Sequence, residues 1–206
     1  MIYLIDNTID GQGASPGEIR AALERTRPDL EVLTEPFSEV SLERVQSLNP
    51  SHIFLSGQSH PWDRYPSESL AGVFSVIRQA DKPILGVCGG HQQMALAFGA
   101  PVSLMGRLEP GEGYTGAKRE RGFAEVETNA QGIFKGLPRN ITVWHSHFDE
   151  VKALPTDFVV TAANETCPIQ AMQHHDRPLF GVQFHPELFD DQHPDGRRIL
   201  ENFLAI

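Results

Sequence analysis

At 206 residues, with 40% hydrophobic and 21% charged side chains, the chain can bury one full core and has the composition of an ordinary globular protein. A formal net charge of −10 argues against a nucleic-acid or anionic-membrane surface. With two distant cysteines, no basic leader with a signal-length apolar run and no stretch near the ~20 apolar residues of a membrane span, the expectation is a cytoplasmic protein without a disulfide framework.

Residues 2–5 form a short apolar strand. Pro16 suits the first turn of a helix running to about residue 26, with Ser15 as its cap. A second strand covers 30–33. Ser41 opens a helix with Leu42, Val45 and Leu48 on one side, and Asn49-Pro50 ends it. A third strand follows at 52–55, then a helix over 69–80 with Leu70, Val73, Phe74 and Ile77 in one stripe. A strand at 84–87 leads into a helix over 91–98. This alternation predicts βαβ units and a parallel sheet. The second half changes character. Strands at 124–127, 141–144, 158–162, 169–172 and 179–184 have no helical pattern between them, which predicts antiparallel pairing. A last helix over 195–204 carries Ile199, Leu200, Phe203 and Leu204. The glycine-rich, charged stretch 106–121 is expected to be a loop, with Lys118-Arg119-Glu120-Arg121 solvated. The whole, 1–206, is expected to be one α/β domain: a central, mostly parallel mixed sheet with helices on both faces.

The chemistry concentrates at two places. The strand at 84–87 ends on Cys88, glycines follow, and a helix begins. Such a turn lifts a side chain clear of the sheet, and a helix N-terminus favours a thiolate. Nearly a hundred residues later Phe184-His185-Pro186-Glu187 follows a second apolar run. Cys88, His185 and Glu187 are thus a candidate nucleophile, base and orienter. Cys167 lacks this context and is assigned a structural role. Residues 11–17 do not match the dinucleotide fingerprint and make a plain turn. His145, His147, His174 and His175 show no ligand spacing, so no metal and no cofactor are expected.

Gly86-Val87-Cys88-Gly89-Gly90-His91-Gln92 resembles the nucleophile motif of class I glutamine amidotransferases, a flavodoxin-like α/β family, and Phe184-His185-Pro186-Glu187 resembles their histidine–glutamate motif. Leu55-Ser56-Gly57-Gln58-Ser59 sits where that family carries its oxyanion loop. Within the class, the segments 133–138, 143–151, 165–172 and 181–187 are similar to the amidotransferase subunit of GMP synthetase. The resemblance implies hydrolysis of glutamine through a Cys88 thioester. It places oxyanion donors at Gly89 and near Gly57 and Gln58, and substrate contacts at Gln92 and around Ser146 and His147. It also implies a separate ATP-dependent synthetase chain that receives the ammonia, since this chain has no room for an ATP-pyrophosphatase domain.

The loop departs from the family, which usually has a second glycine and then proline where this chain has Gln58-Ser59. If the donor position needs positive φ, Gln58 resists it, and the hole is expected to form only when a partner or substrate is bound. The aromatic-rich stretch 60–65 has no assigned role. Two other readings stand beside the first: a free-standing cysteine hydrolase of another γ-glutamyl or small amide, and a non-catalytic binding or regulatory protein on the same fold. The intact Cys88, His185 and Glu187 set counts against the latter.

Overall fold

The computed structural model describes residues 1–107 and 116–206. Its first half alternates β1 (Ile2–Asp6), α1 (Ser15–Thr26), β2 (Val32–Pro36), α2 (Leu42–Leu48), β3 (His52–Leu55), α3 (Ser67–Gln79), β4 (Ile84–Val87) and α4 (Gly89–Ala97). The second half holds β5 (Val102–Leu104), β6 (Glu120–Thr128), β7 (Asn140–His147), β8 (Asp149–Val151), β9 (Phe158–Ala163), β10 (Ala171–His174), β11 (Leu179–Val182) and α5 (Asp195–Phe203).

The main sheet runs β2-β1-β3-β4-β11-β10-β9-β6-β7. The strands β2, β1, β3, β4 and β11 pair in parallel, and β11-β10-β9-β6-β7 pair antiparallel. Strand pleat explains how one run feeds two cores. Ile2 and Leu4 point to the face covered by α1 and α5, where they meet Ile19, Leu23, Ile199 and Phe203. Tyr3 and Ile5 point to the other face and meet Val45 of α2, Val73 and Ile77 of α3, and Met94 of α4. β4 and β11, central and apolar, are buried throughout, as parallel strands between helical layers must be. Among the described residues no helix is long and apolar enough to cross a membrane.

Several expectations need correction. Ser15 is the first residue of α1 and caps nothing; its hydroxyl instead accepts the Gly57 N–H at 2.9 Å. Ser41, by contrast, does cap α2, accepting the Arg44 N–H. The second strand lies at 32–36 and the tenth at 171–174, each starting two residues later than the pattern suggests. The last strand stops at Val182, because Gln183 to Glu187 leave the sheet to build the site. Residues 120 and 121 belong to β6, whose register sets Glu120 opposite His147. Within Lys118–Arg121, Glu120 is buried while the other three side chains are exposed as expected, and 108–115 of the anticipated loop lie outside the described residues. β5 and β8, three residues each and paired only with one another, are too short to leave a pattern.

The close approach of β4 to α4 demands a glycine. A Cβ on Gly86 would fall 2.4 Å from the Gly90 carbonyl oxygen and 2.8 Å from the His91 nitrogen. Gly86→Ala should therefore cost about 1–3 kcal/mol of overpacking, read as a fall of several degrees in Tm. Gly17→Ala, on an open face of α1 with nothing within 4 Å, should leave Tm unchanged or raise it slightly. Parallel thermal melts of the two variants check this; equal Tm values would refute it.

Candidate active site

β4 delivers Cys88 to the C-terminal edge of the parallel sheet, where it serves as the N-cap of α4. Its backbone sits at φ 51, ψ −102, a region that costs a non-glycine residue roughly 1–3 kcal/mol. Two hydrogen bonds hold it there. The Cys88 N–H donates to the Val182 carbonyl at 2.8 Å, and the Cys88 carbonyl accepts from the Gln92 N–H at 3.1 Å. The strained turn lifts the sulfur off the sheet. It lines a cleft of about 190 Å³ whose walls are residues 58–61 on one side and residues 146–149 on the other. That is smaller than the roughly 300–1,000 Å³ of pockets for drug-sized ligands, and suits a substrate the size of one amino acid.

Parallel pairing of β11 with β4 brings the second motif alongside the first, with Val182 in register with Val87. Past β11 the chain rises, and the His185 N–H donates to the Trp144 carbonyl of β7 at 2.7 Å. His185 Nδ1 lies 2.8 Å from Glu187 Oε1. A carboxylate can only accept, so Nδ1 carries the proton and Nε2 is left for chemistry. Both side chains are buried. Burial alone would push the imidazole down; the Glu187 carboxylate and the Cys88 sulfur overcome it and hold His185 well above the ordinary imidazole range. Glu18 of α1 is also coupled to this pair: burial and then the Glu187 carboxylate raise its carboxyl.

The oxyanion candidates separate. The Gly57 N–H is occupied by Ser15 Oγ, so Gly57 does not serve as a donor in this geometry. Gln58 packs directly across Gly89: a Cβ on Gly89 would stand 2.3 Å from the Gln58 nitrogen and 2.0 Å from its Oε1. Gln58 and Gly89 are thus neighbours, and glycine is required at 89. Gln58 itself is not among the positive-φ residues. Gln58 thus keeps to the ordinary backbone region that a side chain prefers, in line with the resistance expected of it.

The substrate-binding candidates also divide. Gln92 is fully buried and all its hydrogen-bonding directions are in use. Its Oε1 accepts from Gln58 Nε2 at 2.9 Å and Trp62 Nε1 at 2.8 Å, while its Nε2 donates to the Asp149 carbonyl at 2.9 Å and Gln183 Oε1 at 3.0 Å. The expected substrate contact of Gln92 therefore does not hold here; it braces the cleft from behind. Ser146 and His147 do line the cleft, and the Ser146 carbonyl faces the Cys88 sulfur at 3.9 Å.

Sequence reasoning misses Gln183, Trp62 and Glu120. Gln183 directly precedes the second motif, but its type alone suggests no role, and Trp62 lies in the unassigned aromatic stretch. Glu120 is a buried carboxylate ringed by donors: Gln170 Nε2 at 2.6 Å, Asn164 Nδ2 at 2.7 Å, His147 Nε2 at 2.8 Å and, more distantly, His145 Nδ1 at 3.5 Å. Burial would raise its carboxyl, yet the hydrogen bonds from His145 and His147 hold it far below the usual carboxylate range. Glu120, His145 and His147 bring possible ligand atoms within 4.8 Å of one another. The two amide donors on the same carboxylate make the cluster a hydrogen-bonded anion rather than an open cation cage.

Comparison with known proteins fits this geometry. The family model for glutamine amidotransferase class-I matches residues 17–206. The chain belongs to the class-I glutamine amidotransferases. Among relatives of this amidotransferase is the glutamine-hydrolysing GMP synthase subunit of Pyrococcus abyssi, 44% identical over 170 residues and matched over 80% of each chain. The subunit of the same name from Methanothermobacter thermautotrophicus is 33% identical over 211 residues, covering 100% of this chain and 97% of its own. A crystal structure of a Thermoplasma acidophilum protein, described as the corresponding GMP synthase subunit, superimposes with a TM-score of 0.77 at 31% identity, over 99% of this amidotransferase and 92% of that chain. A glutamine amidotransferase from Thermotoga maritima shares the fold at a TM-score of 0.74 and 18% identity, over 100% and 99% of the two chains.

The raised His185 pKa has a definite sign. Its contribution to stability is full below the unfolded value of about 6.5 and is lost as pH rises through the folded value. NMR of the ring protons should show His185 titrating well above 6.5. In Glu187→Gln, burial is left with less opposition and the midpoint should drop. An unchanged midpoint would show that Glu187 does not set the charge of His185.

Proposed function

We propose that this chain, over its whole length 1–206 as one amidotransferase domain, is the glutamine-hydrolysing subunit of a two-chain GMP synthase. The observation that carries the chemistry is the buried His185–Glu187 pair, 2.8 Å apart, beside a cysteine on a strained strand-to-helix turn. The Cys88 thiolate attacks the side-chain amide carbon of glutamine, and a C–S bond forms. Charge builds on the carbonyl oxygen near the Gly89 N–H, at the N-terminus of α4, and near the Gln58 N–H. His185 passes its proton to the amide nitrogen, the C–N bond breaks, and ammonia leaves. Water, activated by His185, then cleaves the thioester to give glutamate and regenerate the thiol. Glu187 holds the tautomer and orientation of the imidazole throughout. The cleft walls around Ser146 and His147 hold the α-amino and carboxylate groups.

The partner reading rests on the relatives, which are named as one subunit of GMP synthase and which this chain matches over most of their length. An ATP-dependent synthetase chain would take the ammonia. Free ammonia is largely protonated at neutral pH, so a docked partner with a shielded path follows from the chemistry.

A glutaminase assay with and without a partner of GMP-synthetase type tests both parts. Strong stimulation is expected. High activity on a different amide with no response to the partner would instead favour a free-standing hydrolase. Cys88→Ala should reduce turnover at least a thousandfold, and His185→Ala nearly as much. Glu187→Ala should retain markedly more, by roughly ten- to a hundredfold, because the orienter never transfers the proton. Undiminished turnover in Cys88→Ala would remove the nucleophile assignment.

A further inference from the structure

The Cys88 sulfur has a further polar neighbour besides His185 and the Ser146 carbonyl. Gln183, fully buried just past β11, places its Nε2 at 3.6 Å from the sulfur. A carboxamide presents a donor at one end and an acceptor at the other. Which end meets the sulfur decides whether a thiolate is stabilised or repelled, and groups elsewhere settle that choice. The indole of Trp62 can only donate; it lies 2.8 Å from one end of the Gln92 carboxamide, so that end is Oε1. The Asp149 carbonyl can only accept; it lies 2.9 Å from the other end, which is Nε2. The same Nε2 reaches Gln183 at 3.0 Å and therefore faces Oε1. Only the N–H of Gln183 is left for the sulfur. The Asp149 carbonyl is itself held by His147 Nδ1 at 3.0 Å, and His147 is held by Glu120.

We propose that Gln183 is a further catalytic residue, donating an N–H to the Cys88 thiolate, and that Trp62 is the positioning residue that keeps the donating end of that carboxamide toward the sulfur. The proposal rests on the glutaminase reading of Cys88. It gives the aromatic stretch 60–65 a task. Residues 58–61 line the cleft, and Trp62, next in the chain, is connected to the back of the nucleophile through two glutamines. A displacement of this segment would withdraw the Trp62 N–H, one of the three groups that orient the Gln92 carboxamide, and leave that task to Gln58 and the Asp149 carbonyl.

The test reads thiolate formation apart from turnover. Alkylation of Cys88 by iodoacetamide is followed against pH in the full chain, with the site located by peptide mass. The titratable and charged groups around the cleft stay unaltered: His185 and Glu187 beyond β11, Glu18 of α1, His147 and its partner Glu120 on β7 and β6, Asp149, and the α4 N-terminus. Gln183→Met keeps the volume and loses the donor. It should move half-maximal alkylation upward by about one to two pH units, the scale of a hydrogen bond to a charged group, and lower glutaminase kcat at least tenfold with little change in KM. Trp62→Phe keeps an aromatic ring without the N–H and should shift the profile the same way, by less. An unchanged profile in folded Gln183→Met overturns the proposal, and Gln183 is then a core amide only. If that variant does not fold, the neutral Gln183→Leu, which also loses the donor, decides by the same criterion, with an upward shift expected. An unchanged profile in Trp62→Phe alone overturns the positioning role. Failure of the wild-type chain to hydrolyse glutamine with any partner would defeat the glutaminase reading, and leaves the alkylation result to be judged by itself.

Discussion

The Cys88 turn is the constraint on which the rest of the site depends. A non-glycine residue at φ 51 does not stay there unless its surroundings over-determine it. Here β11 supplies the Val182 carbonyl on one side and the first turn of α4 takes the Cys88 carbonyl on the other. The turn can be this sharp only because α4 begins almost against β4, which fixes Gly86, and because the loop after β3 presses on Gly89. Any side chain at either position would push the helix or the loop away, and the sulfur would lose its place in the cleft.

The mixed sheet divides the labour. Its parallel half ends several strands at one edge, which is where a ligand crevice forms in open α/β sheets. Cys88 follows β4 there, and Gly57 and Gln58 follow β3. Its antiparallel half contributes the opposite wall, since β7 runs back to the same edge and presents Ser146 and His147. The His185–Trp144 backbone bond joins the halves. His185 is therefore held by the same strand that shapes the cleft, and movement of β7 would disturb both together.

The acidic cluster at Glu120 shows why a buried charge can be tolerated in such a place. Desolvating a carboxylate costs several kcal/mol, and here two amides and a histidine meet it at 2.6–2.8 Å. The arrangement fixes the β6–β7 register beside the cleft, where a slip of one residue would turn Ser146 and His147 to the opposite faces. Removing any one donor leaves the charge short of a partner, so the cluster contributes to positional specificity as well as to stability.

The fold class and the chemistry were legible locally. Short, dominantly apolar runs mark β3 and β4 with correct limits, because strands buried on both faces admit few polar side chains. The change from alternating helices to strands alone announces the antiparallel half. Cysteine before glycines, and histidine two residues ahead of glutamate, name the reactive groups because the chemistry needs those types in that local order. What no local pattern carries is the pairing of distant side chains. Ser15 resembles a cap but serves Gly57; Gln92 resembles a substrate contact but is enclosed by four partners; Glu120 sits in a charged run yet lies buried opposite His147. Each of these outcomes depends on strands or loops brought together across tens of residues, where hydrogen-bond satisfaction in a buried space, rather than residue type, decides the role. The sequence by itself determined the alternating architecture and the candidates for nucleophile, base and orienter. Only the tertiary structure decided which groups face them, because a buried donor or acceptor takes its partner from whatever the packing places within about 3 Å.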